Sequence, residues 1–359
     1  MLKIDRIRLY HGRMPCDLRF SYGEVKAFPY LIAEIEAGKW TGTGECLHGK
    51  AGEAAEMART LLGRDAFLLD ALIPPITFTW QKSVLRELFS MALHDLVARA
   101  AGVPLHALLG GLLRRRVPLM ACLFPESPQH AETTARRFVD AGFKALKVKN
   151  FGEIEKDCAL IRAVRRAHPE GFLQSDPNLG YKTLAAAAAA LPRMAEAGLT
   201  AVEDPGAVTL GEYLRLMEVS PRPKIILDGP SRGDPAIGEI ARLRPCDAVN
   251  LHPNMQGTFS DIRDRAAVVR LAGLGVEIGG TGYTGVGAFA HLHVAAVYGL
   301  EYPFGELGGW MDHGMPARTC AEGLPIDDGC ALVPDSPGHG AELNRSWLAM
   351  NSEAVEIPA

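Results

Sequence analysis

The chain is predicted to fold as an α/β barrel carrying a smaller α+β cap, and three features of the sequence lead there. First, polar residues recur at near-constant spacing from the middle of the chain onward: Lys149, Asp176, Glu203, Asp228 and His252, at steps of 27, 27, 25 and 24 residues. Each closes a short apolar run, as expected of a strand buried on both faces. One strand, one helix and two loops consume roughly 25 residues, so the ladder reads as successive βα units of a barrel. Second, the segment through about Lys50 alternates apolar and polar side chains, in Leu2 to Tyr10 and again in Tyr30 to Ala37, which is the pattern of a small antiparallel sheet. Third, the tail after Trp310 is rich in Gly and Pro with short apolar pieces, and is expected to pack back onto that first domain.

Taken in order, Gly38, Gly42 and Gly44 punctuate the turns of the first sheet. From about Ala51 to Leu113 the pattern turns helical, with Val84, Leu85, Leu88, Met91, Ala92, Asp95 and Leu96 at helix spacings, and that helix ends before Gly102-Val103-Pro104. The alternating βα region begins near Val117 and runs to about Trp310. Within it the alanine run Ala185 to Ala190 continues into Leu191, Met194 and Leu199, and reads as an ordinary barrel helix. The expected division is a capping domain over residues 1–112, rejoined by 311–359, and a barrel over 113–310.

Bulk properties exclude some classes. A chain of 359 residues can bury a large core, and 48% hydrophobic with 22% charged residues is ordinary for a soluble globular protein. A net charge of −4 offers no electrostatic case for nucleic acid or an anionic membrane. No apolar stretch approaches the roughly 20 residues of a membrane span, and the charged start Met1-Leu2-Lys3-Ile4-Asp5-Arg6 does not suit an export signal. Seven scattered cysteines without zinc-type spacing favour free thiols in a reducing cytoplasm.

Several short motifs stand in one order along the chain. They are Gly42-Thr43-Gly44-Glu45; Ala92-Leu93-His94-Asp95-Leu96 followed by Gly102-Val103-Pro104 and Leu108-Leu109-Gly110-Gly111; Lys147-Val148-Lys149; Asp176-Pro177-Asn178; and Pro337-Gly338-His339-Gly340. Each is weak alone. In this order and spacing the set resembles the enolase superfamily, most nearly its muconate-lactonizing-enzyme/mandelate-racemase branch, over essentially the whole length. The resemblance implies a modified TIM barrel of the (β/α)7β-like kind with an α+β cap. It also implies Mg-dependent removal of a proton alpha to a carboxylate through an enediolate, a small-molecule carboxylate as substrate, and a homo-oligomer.

That chemistry explains the residue types. A carbon acid of this kind is too weak for a lysine unless the developing charge is neutralised, which a hard dication held by carboxylate oxygens does. Asp176, Glu203 and Asp228 would supply the ligands. Three carboxylates without cysteine or clustered histidine point to Mg²⁺, with Mn²⁺ as the alternative, rather than zinc. A lone Asp in such a place more often caps a helix or makes a salt bridge; three at barrel-strand spacing point to a metal. The strand period of two puts Lys147 and Lys149 on the same face, and two cations so close favour the neutral amine of one. By resemblance Lys149 is the general base and Lys147 touches the substrate carboxylate. Asn178 hydrogen-bonds the ligand shell, the lysines or substrate, or is a plain turn residue.

The chain also departs from its relatives. The muconate-lactonizing group generally carries Lys at the position of His252, and the mandelate-racemase group carries Asp paired with a His on the next strand. Here the next strand, Val276 to Tyr283, has no histidine. His252 is either an acid/base facing Lys149 across the substrate or an orienting or structural imidazole. Gly229 follows Asp228 where relatives commonly carry Glu, so the half-site opposite Lys149 is altered as a unit. Glu306 stands where the last barrel strand should end, as a substrate contact, a hydrogen-bond partner of a catalytic group, or a surface acid. By resemblance, substrate choice falls to cap loops from about Met14 to Val25, with Arg19, Phe20 and Tyr22, and from Cys46 to Lys50, with His48. Three functions follow as expectations: a racemase or epimerase of an acid or acylated amino acid; a dehydratase of a sugar or hydroxy acid, or a cycloisomerase; and a non-catalytic barrel kept as a binding protein.

Overall fold

The structure is a computed structural model that describes residues 1–20, 23–73, 80–280, 283–299, 301–305 and 318–358. The cap begins with strands β1 (Arg6–Phe20), β2 (Gly23–Ala37) and β3 (Trp40–Leu47), followed by helices α1 (Ala51–Leu61), α2 (Trp80–Ala101) and α3 (Leu105–Leu108). β1 and β2 pair from Arg6 opposite Glu36 to Phe20 opposite Gly23, with one irregularity between Pro15 and Leu18. The segment Met14 to Val25, expected as a cap loop, is therefore mostly a long hairpin. Its inward side chains Met14, Leu18 and Phe28 bury against Tyr10 and Tyr30, and Pro15 stands at the irregularity, where a missing N–H costs no ladder bond.

β3 lies so close on α2 that Gly42 and Gly44 are required. A Cβ on Gly42 would come within 2.3 Å of the Ala92 carbonyl oxygen, and one on Gly44 within 2.1 Å of that of Leu88. The same contact is locked by Asp95 of α2, whose buried carboxylate accepts from the backbone N–H of Thr43 (2.9 Å) and of His339 in the tail (2.9 Å). Gly338, at φ +82°, makes the turn that brings His339 there.

The barrel staves are β5 (Met120–Leu123), β6 (Ala145–Lys149), β7 (Phe172–Asp176), β8 (Ala201–Glu203), β9 (Lys224–Leu227), β10 (Ala248–Asn250) and β11 (Gly275–Glu277), one parallel sheet in chain order. Phe304 and Gly305 close it: the Met120 N–H donates to Phe304 O (2.9 Å) and the Gly305 N–H to Ile278 O (3.1 Å). Just before β5, β4 (Arg116–Pro118) pairs instead with β13 (Cys330–Leu332), which is flanked by β12 (Ile326–Asp327). The tail thus serves both parts of the molecule, and not the first domain alone: β12 and β13 lie beside the barrel entry, while α12 (Arg345–Asn351) and β14 (Glu353–Pro358) return to β1 of the cap.

Helices α4 (Pro128–Asp140), α5 (Ile154–Ala167), α6 (Leu184–Glu196), α7 (Leu210–Met217), α8 (Asp234–Leu243), the single turn α9 (Pro253–Gln256), α10 (Phe259–Leu271) and α11 (Val286–Tyr298) surround the sheet. The alanine run is the helix α6, capped by Thr183 and burying Ala187, Ala190, Leu191 and Met194 on one face. α11 is buried on every side because it lies between barrel and cap. Among the described residues no helix is long and apolar enough to cross a membrane. All seven cysteines are free thiols.

Glu45 fastens β3 to the start of α11. Its buried carboxylate accepts from Thr284 N–H, Thr284 Oγ1 (2.7 Å) and Gly287 N–H (2.8 Å). Glu45→Ala leaves those buried donors unmatched and is expected to cost roughly 2–6 kcal/mol, read from the denaturant midpoint at unchanged slope. Burial pushes the Glu45 carboxyl up to about 7 from its ordinary 4.5. A raised acid contributes stability that is full below its unfolded value and lost as pH rises through the folded one. The thermal midpoint should therefore fall from pH 5 to pH 8, and fall less in Glu45→Gln.

Candidate active site

The register gathers the site. β6 against β7 sets Lys147 opposite Gln174 and Lys149 opposite Asp176, and β10 against β11 sets Asn250 opposite Glu277. Lys147, Lys149, Asp176, Glu203, Asp228 and His252 are all buried at the carboxyl ends of their staves. Lys149 Nζ donates to Asp176 Oδ2 at 2.6 Å, and Lys147 Nζ to Glu203 Oε2 at 2.8 Å, with Asp176 Oδ2 at 3.4 Å. Gln174 Nε2 donates to the same Glu203 oxygen (2.8 Å) and to Glu277 Oε1 (3.2 Å), and Asn250 Nδ2 reaches Glu203 Oε1 at 3.3 Å.

The mouth holds more negative than positive charge. Burial alone would raise Asp176, but Lys149 and Lys147 beside it bring it down to about 2. Glu203 is held well above the usual carboxylate range, by burial first and then by Asp176, Glu277 and Asp228. The Lys147 ammonium opposes that shift without cancelling it, because it also serves Asp176. Asp204 is raised to about 7 by burial and by Asp228 and Asp176.

Asp204 is a residue that sequence reading passed over. At φ +44° it turns its carboxylate onto the backbone N–H groups of Asp228 (3.0 Å) and Gly229 (2.8 Å), and so sets the loop carrying Asp228. Its signal was the second acid in Glu203-Asp204-Pro205, adjacent to a chosen residue. Gln174, Asn250 and Glu277 had only inward strand parity to mark them.

The other expected contacts are scattered. Asn178, at φ +48°, donates from its backbone N–H to Asp176 Oδ1 (2.9 Å) and from Nδ2 to Oδ2 (3.1 Å), so it holds Asp176 in place. His252 opens α9, with Nδ1 2.6 Å from Asn254 Oδ1. Arg19 on the cap hairpin lies over the ring of Phe151 at 5.8 Å, two residues past Lys149. His48 packs edge-on against Phe28 in the cap. Tyr22 and Glu306 lie outside the described residues.

The donor set fits a hard cation. Its oxygens are carboxylates, and Asp228 Oδ1 is buried without a hydrogen-bond partner. Desolvated negative charge exceeds what two lysines offset. As the side chains stand, no three His, Cys, Asp or Glu among the described residues gather closely enough to grip an ion. A cation would have to displace Lys147 and Lys149 from Asp176 and Glu203.

A capped barrel with this mouth is the architecture of an enolase-superfamily enzyme. Residues 130–347, well over half of the chain, match the family described as enolase C-terminal domain-like, and the chain belongs to it, on the mandelate racemase/muconate lactonizing branch. It is 26% identical to a D-Ala-D/L-Ala epimerase of Cytophaga hutchinsonii, over 96% of this chain and 97% of that one. It is 27% identical to a chloromuconate cycloisomerase of Cupriavidus necator, over 94% and 95%. Its fold superimposes on the dipeptide epimerase of Cytophaga hutchinsonii complexed with Mg and the dipeptide D-Ala-L-Val, with a TM-score of 0.85 at 24% identity, covering 99% and 100% of the two chains.

Proposed function

We propose that the protein racemises or epimerises a small carboxylic acid or acylated amino acid by moving the proton alpha to the carboxylate, with Mg²⁺ as cofactor. One observation carries this reading: Lys149 and His252 belong to β6 and to the end of β10, four staves apart in a barrel of seven strands closed by Phe304. Four staves in such a ring is the opposite side. Two proton-transfer groups therefore flank the mouth, as inversion at one carbon requires.

Asp176, Glu203 and Asp228 would hold the cation, which supplies compensation for the charge that builds on the substrate carboxylate. Lys147 adds a fixed positive charge there. Lys149, released from Asp176 and neutral, takes the alpha proton on its nitrogen. On the other face His252 places Nδ1–H on Asn254 Oδ1, which leaves Nε2 to carry the proton delivered to the carbon. Reversal runs the same transfers backward. Arg19 at the rim suits a substrate with a distal acceptor or anionic group. A cycloisomerase needs proton transfer from Lys149's side alone, so the two-sided mouth favours inversion.

The test is incubation with N-acyl amino acids, dipeptides and hydroxy acids in deuterated water with Mg²⁺. Deuterium entering the alpha carbon with inversion is the expected result. Loss of water would support a dehydratase, and no exchange with any acid would support a binding protein. His252→Asn should reduce inversion about 10²- to 10⁴-fold while exchange continues from the Lys149 face. Unchanged racemisation would remove His252 from the reaction.

A further inference from the structure

Three side chains donate to Glu203, and one of them carries charge. Lys147 Nζ and Gln174 Nε2 each reach Oε2 at 2.8 Å, and Asn250 Nδ2 reaches Oε1 at 3.3 Å. Gln174 stands on β7 two residues before Asp176, on the same inward face, and it and Asn250 are fully buried. Its amide nitrogen also donates to the buried Glu277 Oε1 at 3.2 Å, whereas its own Oε1 is buried without a hydrogen-bond partner. Turning the amide over would set that oxygen against two carboxylates, so its surroundings enforce the orientation it has.

Lys147 must withdraw before Asp176 and Glu203 receive a cation, because its ammonium occupies Glu203 Oε2 and lies 3.4 Å from Asp176 Oδ2. Two neutral amides then remain to fix the Glu203 carboxylate. Being uncharged, they orient it without opposing the cation, as an ammonium in their place would. We propose that Gln174, braced on Glu277, is the positioning residue that presents Glu203 to the cation, and that it thereby favours Mg²⁺ over the larger Ca²⁺. Mg²⁺ demands near-ideal octahedral geometry at about 2.0–2.1 Å, whereas Ca²⁺ accepts a more flexible shell of oxygens. A carboxylate left free to turn therefore penalises Mg²⁺ more. Gln174 acts through Glu203 and needs no contact with substrate. The inference rests on reading Asp176, Glu203 and Asp228 as the metal site.

The test needs no substrate: the metal-free protein is titrated calorimetrically with Mg²⁺ and, separately, with Ca²⁺. Gln174→Leu is expected to lower Mg²⁺ affinity about 10- to 100-fold and Ca²⁺ affinity by less, so that the ratio of the two falls. Gln174→Met, whose unbranched side chain adapts to the same space, stands as the test if Gln174→Leu does not fold. An unchanged Mg²⁺ affinity, or an equal loss for both cations, overturns the proposal. The two readings fail separately. A wild type that binds neither cation defeats the metal reading and takes this inference with it. A wild type that binds Mg²⁺, with a variant of the same affinity and preference, defeats the role of Gln174 alone. A ratio that falls while no acid exchanges its alpha proton defeats the functional reading alone.

Discussion

Alanine at position 149 is expected to reduce inversion in both stereochemical directions, and alpha-proton exchange from the Lys149 face, by about 10²- to 10⁴-fold, while exchange from the His252 face continues. Exchange from one face and inversion across both require the Lys149 nitrogen. The same substitution has an opposite consequence for the cation. Lys149 Nζ sits 2.6 Å from Asp176 Oδ2 and competes for that oxygen. Calorimetric Mg²⁺ affinity should therefore hold or increase in Lys149→Ala while inversion collapses. A variant that lost both together would show that Lys149 organises the site without acting as its base. Partial recovery of exchange with added methylamine would locate the loss in the missing amine.

The second large effect is on Glu203. It collects Lys147 and Gln174 on one oxygen and Asn250 on the other, and it is the acid most crowded by neighbouring carboxylates. Glu203→Gln keeps the shape and removes one negative charge. Mg²⁺ affinity should fall by more than about 100-fold, beyond the 10- to 100-fold typical of outer-shell partners. The metal-free fold should survive, because crowding by Asp176, Asp228 and Glu277 is relieved. An unchanged calorimetric affinity would exclude Glu203 from the metal site.

Much of this mouth was readable in sequence because strand parity is a strong constraint. Lys147 and Lys149 had to share a face, and a polar residue closing each apolar run had to lie at the same rim. What escaped were groups whose importance is made by contact. Asp204 looks like a turn residue until its carboxylate meets two backbone N–H groups of the next stave. Glu87 sits on a helix face otherwise predicted as core, and nothing in the helical period marks an acid that will meet Tyr283 and His291, some 200 residues later. The segment Met14 to Val25 is a cap loop by resemblance alone, and its pairing with β2 and the burial of Met14 and Leu18 emerge only in the fold. The motif residues Gly42, Gly44 and Asp95 stood out by resemblance, and only packing shows why they are needed.

The Asp95 carboxylate holds N–H groups from two segments almost three hundred residues apart, Thr43 and His339. Such a cross-tie makes the ends of the chain interdependent in time as well as in space. The amides of β3, of the middle of α2 and of the Gly338 turn should exchange with deuterium as one cooperative unit, at the free energy of global opening. A barrel fragment begun after residue 112 would lose β3 and α2 and leave the Gly338 turn untied, and during synthesis the cap could not close until His339 had been added.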